Sequence, residues 1–336
     1  MSRSGAAQGA PGGAVAAACR AVRAGDRRAV AKTITLLEST RPDHAAEAQA
    51  VLEALVPFTG RAVRLGITGA PGVGKSTFIE AFGLHLVEGG LRVAVLAVDP
   101  SSPLSGGSIL GDKTRMERLA QDPRAFIRPS PSGGSLGGVA HRTREAMLVC
   151  EAAGFDVVIV ETVGIGQSEV AVASMVDCFA VLLQPGQGDE LQGIKKGVIE
   201  LADLLVVNKA DGDGRPAAER TRAQYAAALE LLRPASASWR PPVLCASART
   251  GEAIGAVWQA VRGHRAALEG SGELAAKRRS QARAWMWALV EEGLEAAFRA
   301  RAAVAERIPR LEREVEEQKT TPAAAARALL RAFEQG

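Results

Sequence analysis

Seven short apolar runs punctuate the middle of the chain, at 63–67, 93–98, 125–127, 157–160, 179–183, 204–207 and 243–245. Each is shorter than a typical helix and lacks the alternation of a half-exposed strand, so each reads as a strand buried on both faces. The segments between them carry apolar residues at helical spacing. Strands alternating with helices predict an α/β fold, with a doubly wound, mostly parallel sheet spanning residues 61–265.

The flanks change period. Residues 14–60 have helical spacing broken at Arg41-Pro42-Asp43, which predicts an N-terminal helical hairpin whose second helix is capped by Asp43. Residues 266–336 also read as helical: Met286, Leu289, Val290, Leu294, Ala297 and Phe298 form one apolar stripe, Pro309 interrupts, and Thr321-Pro322 opens a last helix. The stripe fits packing within one subunit and contact with a second copy equally well. Residues 1–13, rich in glycine and alanine, read as a disordered tail.

Candidate chemistry starts directly after the first run. Gly69-Ala70-Pro71-Gly72-Val73-Gly74-Lys75-Ser76 fits G-x-x-x-x-G-K-[ST], and Thr77 leads into a helix. Glycines let such a loop turn its N–H groups toward a triphosphate, Lys75 supplies a charge for the β- and γ-phosphates, and the Ser76 hydroxyl is a Mg²⁺ ligand. Asn208-Lys209-Ala210-Asp211 follows the sixth run, at the strand end where open α/β sheets bind ligands. Asp211 can accept hydrogen bonds from the ring N–H and amine of guanine, with Asn208 and Lys209 bracing the loop. Ser247-Ala248, after the seventh run, resembles the Ser-Ala base-contact element of GTPases. Three elements in this order point to GTP over ATP.

Between the phosphate and base motifs stand residues suited to sensing a γ-phosphate. Asp99 leaves a strand end toward the metal region, and the glycine-rich, then charged segment 106–116 brings in Asp112. Glu161 ends a buried strand, where it can hold Mg²⁺ through water or orient the attacking water, and the Gly164 N–H can bond the γ-phosphate. The loop 184–197, with Gln184, Gln187, Asp189, Glu190, Lys195 and Lys196, has the glycine content and charge of a third mobile element that reports nucleotide state to a partner.

Composition narrows the class. A chain of 336 residues, 47% hydrophobic, is long enough for a full core, and its net charge of +4, scattered along the chain, argues for neither nucleic acid nor an anionic membrane as partner. Cys19, Cys150, Cys178 and Cys245 are far apart and read as reduced residues. His44, His85, His141 and His264 are isolated, against a nickel-carrying role. No apolar run approaches the ~18 residues of a membrane span, and the N-terminal stretch lacks a secretory core. A cytoplasmic location is expected, with a mitochondrial matrix location as the alternative because the first acidic residue is Asp26.

Segments 99–102, 106–116, 161–169 and 188–197 together resemble the MeaB/ArgK family, akin to the human MMAA protein, over about residues 14–300. The resemblance implies a P-loop NTPase fold of the SIMIBI class with helical N- and C-terminal extensions, the latter forming a homodimer. It implies a Mg²⁺-dependent GTPase that binds adenosylcobalamin-dependent methylmalonyl-CoA mutase or a close acyl-CoA mutase, with the adenosyltransferase as a further candidate partner. Adenosylcobalamin is then met only through the partner enzyme. By matched position, Lys75, Asp112 and Glu161 carry catalysis, Ser76, Asp99, Asp112 and Glu161 surround the metal, and residues 184–197 are the additional switch. Hydrolysis is expected to be slow alone and stimulated by the partner, since phosphoryl transfer depends on positioning and charge neutralisation. Arg115 and Arg142 are the candidates for an arginine finger. A kinase or ATPase of amino-acid transport, the family's older description, is the alternative, and the N-K-x-D motif speaks against it.

Overall fold

The computed structural model describes residues 12–39, 41–98, 116–129, 136–162, 168–186, 196–232 and 236–335. The chain divides into two compact units, Met1–Arg278 and Arg279–Gly336.

The seven apolar runs become seven strands: β1 (Val63–Gly69), β2 (Val93–Val98), β3 (Ala125–Arg128), β4 (Val157–Thr162), β5 (Cys178–Leu183), β6 (Leu204–Val207) and β7 (Val243–Cys245). They form one sheet in the order β3-β2-β4-β1-β5-β6-β7, and every neighbouring pair is parallel. Because all strands point the same way, all seven carboxyl ends lie on one edge.

The period-two alternation of each strand divides its side chains between two cores. On one face, Val158, Val160, Phe179 and Val181 pack against the N-terminal helices and against helices Leu136–Ala152 and Arg215–Glu230. On the other, Leu65, Ile67, Ile159 and Leu182 meet Phe78 and Phe82 of helix Lys75–Glu88 and Val257 and Val261 of helix Ile254–Ser271. The two phenylalanine rings stack at 5.9 Å, and Trp258 meets Phe82 edge-on at 6.2 Å.

The opposite edge of the sheet is closed by buried ion pairs. Arg64 Nε donates to Glu151 Oε1 at 2.6 Å, and Arg278 grips Asp177 through Nε at 2.8 Å and Nη2 at 2.6 Å. Each carboxylate also accepts from the chain, Glu151 from the Gly60 N–H at 2.5 Å and Asp177 from the Arg64 N–H at 3.0 Å. Burying these charges is tolerable because their oxygens are satisfied.

Among the described residues the N-terminal segment holds three helices, Gly13–Arg23, Arg27–Leu37 and Pro42–Leu55, where the sequence pattern suggested two. The additional break is Gly25-Asp26: Gly25 adopts φ 76, and Asp26 caps the next helix by accepting from the Arg28 and Ala29 N–H groups at 2.8 and 3.3 Å. Asp43 is not a cap; it sits in the first turn of its helix and accepts from Arg41 Nε at 3.0 Å.

Helix Glu273–Ala300 carries the predicted stripe. Within the second unit, Phe298 packs on Phe333 of helix Pro322–Gln335 at 5.3 Å, whereas Met286, Leu289, Val290 and Leu294 are exposed. Pro309 opens helix Ile308–Glu316 instead of breaking one, and the Thr321 hydroxyl caps the last helix by accepting from the Ala324 N–H at 3.2 Å.

Gly66 measures how tightly β1 is packed: a Cβ there would lie 2.8 Å from the Phe179 ring, 2.9 Å from Val172 and 3.0 Å from Val176. Gly66→Ala is expected to destabilise the protein by about 1–3 kcal/mol through overpacking, read as a lower denaturation midpoint at unchanged slope.

Candidate nucleotide-binding site

Gly69 ends β1, and helix Lys75–Glu88 begins five residues after Ala70, so the glycine motif forms the turn between them. All three motif glycines have positive φ, and at two of them a side chain would also meet close neighbours. Gly69 adopts φ 152 and a Cβ would come 2.6 Å from the Leu182 carbonyl oxygen; Gly74 adopts φ 91 and a Cβ would come 3.0 Å from Asn208 Nδ2. The loop thus lies against β5 on one side and the Asn208 side chain on the other. Lys75 reaches back over it, its Nζ donating to the Gly69 and Ala70 carbonyls at 2.7 and 3.3 Å. An ammonium held over a turn at a helix N-terminus is a cradle for a polyphosphate.

The N-K-x-D loop is bonded directly to this turn. Asn208 is fully buried at the end of β6; its Nδ2 donates to the Val73 carbonyl at 2.9 Å, and its Oδ1 accepts from the Ala248 N–H at 3.1 Å. Lys209, held at φ 60, donates from Nζ to the Gly72 carbonyl at 2.7 Å. Asp211 Oδ1 accepts from the Ser247 hydroxyl at 2.8 Å, and its other oxygen pairs with Arg249. Asn208, Lys209, Asp211, Ser247 and Ala248 therefore converge with Gly72 and Val73, although 135 residues separate Asn208 from Val73.

At the candidate metal position, the Ser76 hydroxyl donates to Glu161 Oε1 at 3.2 Å, joining the first turn of helix Lys75–Glu88 to the end of β4. Both are oxygen donors, and Glu161 is only 8% exposed. That is the chemistry of a hard divalent cation, so these residues fit Mg²⁺. Among the described residues no group of three or more His, Cys, Asp or Glu is arranged to hold a metal.

Other expected site residues have different standing. Asp99, Asp112, Arg115, Gly164, Gln187, Asp189, Glu190 and Lys195 lie outside the described residues. Gln184 is half-buried just beyond β5, and Lys196 opens helix Lys196–Glu200. Arg142 belongs to helix Leu136–Ala152, which packs on the opposite sheet face from helix Lys75–Glu88.

Arg249, paired with Asp211, was not anticipated; its one sequence signal is its position directly after Ser247-Ala248. Burial, with the Glu219 carboxylate beside it, pushes the Cys245 thiol up to about 11, so it stays protonated at neutral pH. The four cysteines are free thiols, as their spacing suggested. No helix among the described residues is long and apolar enough to cross a membrane.

An all-parallel sheet with a glycine-rich phosphate turn after β1 and an N-K-x-D turn after β6 defines a P-loop GTPase. The chain belongs to the MeaB family: the family model described as "Methylmalonyl Co-A mutase-associated GTPase MeaB" matches residues 30–303. The GTPase ArgK of Escherichia coli is 52% identical over 278 residues, which are 83% of this chain and 84% of its own. The mouse protein named "Methylmalonic aciduria type A homolog, mitochondrial" is 49% identical over 319 residues, 92% of this chain and 77% of its own. A crystal structure described as an LAO/AO transport system kinase is 40% identical and superposes with a TM-score of 0.77, covering 98% of this chain and 100% of that one. The chain is accordingly a GTP hydrolase.

Gly74→Ala forces an L side chain to φ 91 and drives its Cβ toward Asn208 Nδ2. Strain of about 1–3 kcal/mol at such a position predicts GDP binding weakened by about 10- to 100-fold in a titration of the folded protein.

Proposed function

We propose that this GTPase is a chaperone of an adenosylcobalamin-dependent acyl-CoA mutase, with methylmalonyl-CoA mutase as the first candidate client. The observation that carries the reading is the match over residues 30–303 to a family described as mutase-associated, supported by the similarity to a methylmalonic aciduria type A homolog. The GTP cycle is then the clock, and the product is a partner enzyme whose cofactor loading has been gated and whose activity is protected or restored. Adenosylcobalamin belongs to that partner, and its adenosyltransferase is a further proposed contact.

In this reading Lys75 neutralises the transferring phosphoryl group, the 69–77 turn binds the phosphates through its N–H groups, and Gly164 adds another. Asn208, Lys209, Asp211, Ser247 and Ala248 bind and select guanine. Ser76, Asp99, Asp112 and Glu161 hold Mg²⁺, which when bound neutralises developing charge on the phosphate oxygens. Glu161 and Asp112 also orient the attacking water. Residues 184–197, including Gln184, Gln187, Asp189, Glu190, Lys195 and Lys196, are assigned to sensing the client.

The alternative, a kinase passing the γ-phosphate to an acceptor, is separated by product. Purified protein is expected to release inorganic phosphate from GTP slowly and, with its client mutase, about tenfold faster or more, because ordering of catalytic groups by a partner accelerates GTPases by up to about 10³–10⁵. Stoichiometric phosphorylation of an acceptor, or phosphate release indifferent to every cobalamin-dependent acyl-CoA mutase, would contradict the proposal.

We further propose that residues 266–336 form a homodimer contact. Met286, Val290 and Leu294 recur at intervals of four and leave an apolar helical face exposed on the second unit. Leu294→Glu is expected to halve the mass measured by sedimentation equilibrium without lowering GTP affinity; a wild-type monomer would dismiss the contact.

A further inference from the structure

A buried polar chain lies across the sheet from the Ser76–Glu161 contact. Thr68 is the residue before Gly69 in β1, Thr162 is the residue after Glu161 in β4, and both are wholly buried. The register pairs Ile67 with Glu161, so the two threonines are neighbours pointing into the face lined by Val160, Val172, Val176 and Val181. The Thr162 hydroxyl donates to Thr68 Oγ1 at 2.7 Å, and the Thr68 hydroxyl donates to Glu169 Oε1 at 3.5 Å. Glu169 is itself buried, in the first turn of helix Ser168–Ala173.

Polar groups in an apolar core are costly unless they are hydrogen-bonded, and valine in place of either threonine would fill nearly the same volume without that cost. Their position along the chain gives them a use. Thr68 is one peptide unit from the phosphate turn, and Thr162 is one peptide unit from the carboxylate that receives the Ser76 hydroxyl at 3.2 Å. The two hydroxyls thus tie the residue before the phosphate turn to the residue after Glu161, and the Glu169 carboxylate accepts from Thr68.

We propose that Glu169 is a positioning residue for GTP hydrolysis, acting through Thr68 and Thr162 on the spacing between the phosphate loop and Glu161. The inference rests on the GTPase activity and not on the identity of any client, so it is measured on the full chain alone. Hydrolysis depends on this spacing far more steeply than ground-state binding does, since small misplacements of reacting groups cost up to about 100-fold in rate.

The test is single-turnover GTP hydrolysis and GDP affinity in Glu169→Ala, Glu169→Gln and Thr162→Val, each checked for a native melting transition. Glu169→Ala and Thr162→Val are expected to lower the hydrolysis rate about tenfold or more while GDP affinity stays within about twofold. Glu169→Gln, which keeps an oxygen acceptor, should recover most of the rate. The double variant Glu169→Ala/Thr162→Val should be no slower than the worse single one, as expected for members of one chain. If Glu169→Ala does not fold, Thr68→Val and Thr162→Val break the same chain and carry the test. Unchanged rates in folded variants, or rate and GDP affinity falling in parallel, would overturn the proposal.

Discussion

One buried side-chain amide holds the candidate nucleotide site together. Asn208 donates to the Val73 carbonyl at 2.9 Å and accepts from the Ala248 N–H at 3.1 Å, so the phosphate turn, the N-K-x-D turn and the Ser-Ala turn share a single bridge. Turns at strand ends have little rigidity of their own, and three of them agree on one geometry only if something couples them. A side-chain amide can do this because it donates and accepts at once, and burial makes each bond worth more than it would be in water. The Lys209 contact to the Gly72 carbonyl at 2.7 Å adds a second tie between the same loops.

The sheet makes that bridge possible. In an all-parallel order with β1 between β4 and β5, the ends of β1, β4, β5 and β6 lie side by side, which is where a strand-order reversal opens a crevice. Period-two alternation then assigns neighbouring residues to different tasks. Glu161 faces helix Lys75–Glu88 and receives the Ser76 hydroxyl, while Thr162 faces the opposite core and binds Thr68. The buried ion pairs at the far edge, Arg64–Glu151 and Arg278–Asp177, fasten the ends of the strands that carry no nucleotide chemistry.

Much of this was legible in the residue order because its signals are local. Uninterrupted apolar runs mark doubly buried strands, and all seven strands appear where such runs occur. The phosphate and base motifs are contiguous strings whose spacing follows from phosphate and guanine chemistry. What escaped was non-local or weakly marked. Gly25-Asp26 breaks the N-terminal helices within a helical hydrophobic pattern, and no proline draws attention to it. Arg249 matters only because Asp211 folds next to it, 38 positions upstream. The division of the C-terminal stripe was likewise hidden, since Phe298 and Leu294 share a helical face while Phe298 meets Phe333 and Leu294 is exposed.

The bridge predicts that base and phosphate recognition act as one mechanical unit joined through Asn208. Inorganic triphosphate, which has no base, isolates the phosphate end. In Asn208→Ala, affinity for inorganic triphosphate measured by calorimetry is predicted to fall together with affinity for GDP, because the Val73 carbonyl loses its anchor. An Asn208→Ala protein that binds triphosphate as wild type does and loses only its preference for guanine would contradict this coupling.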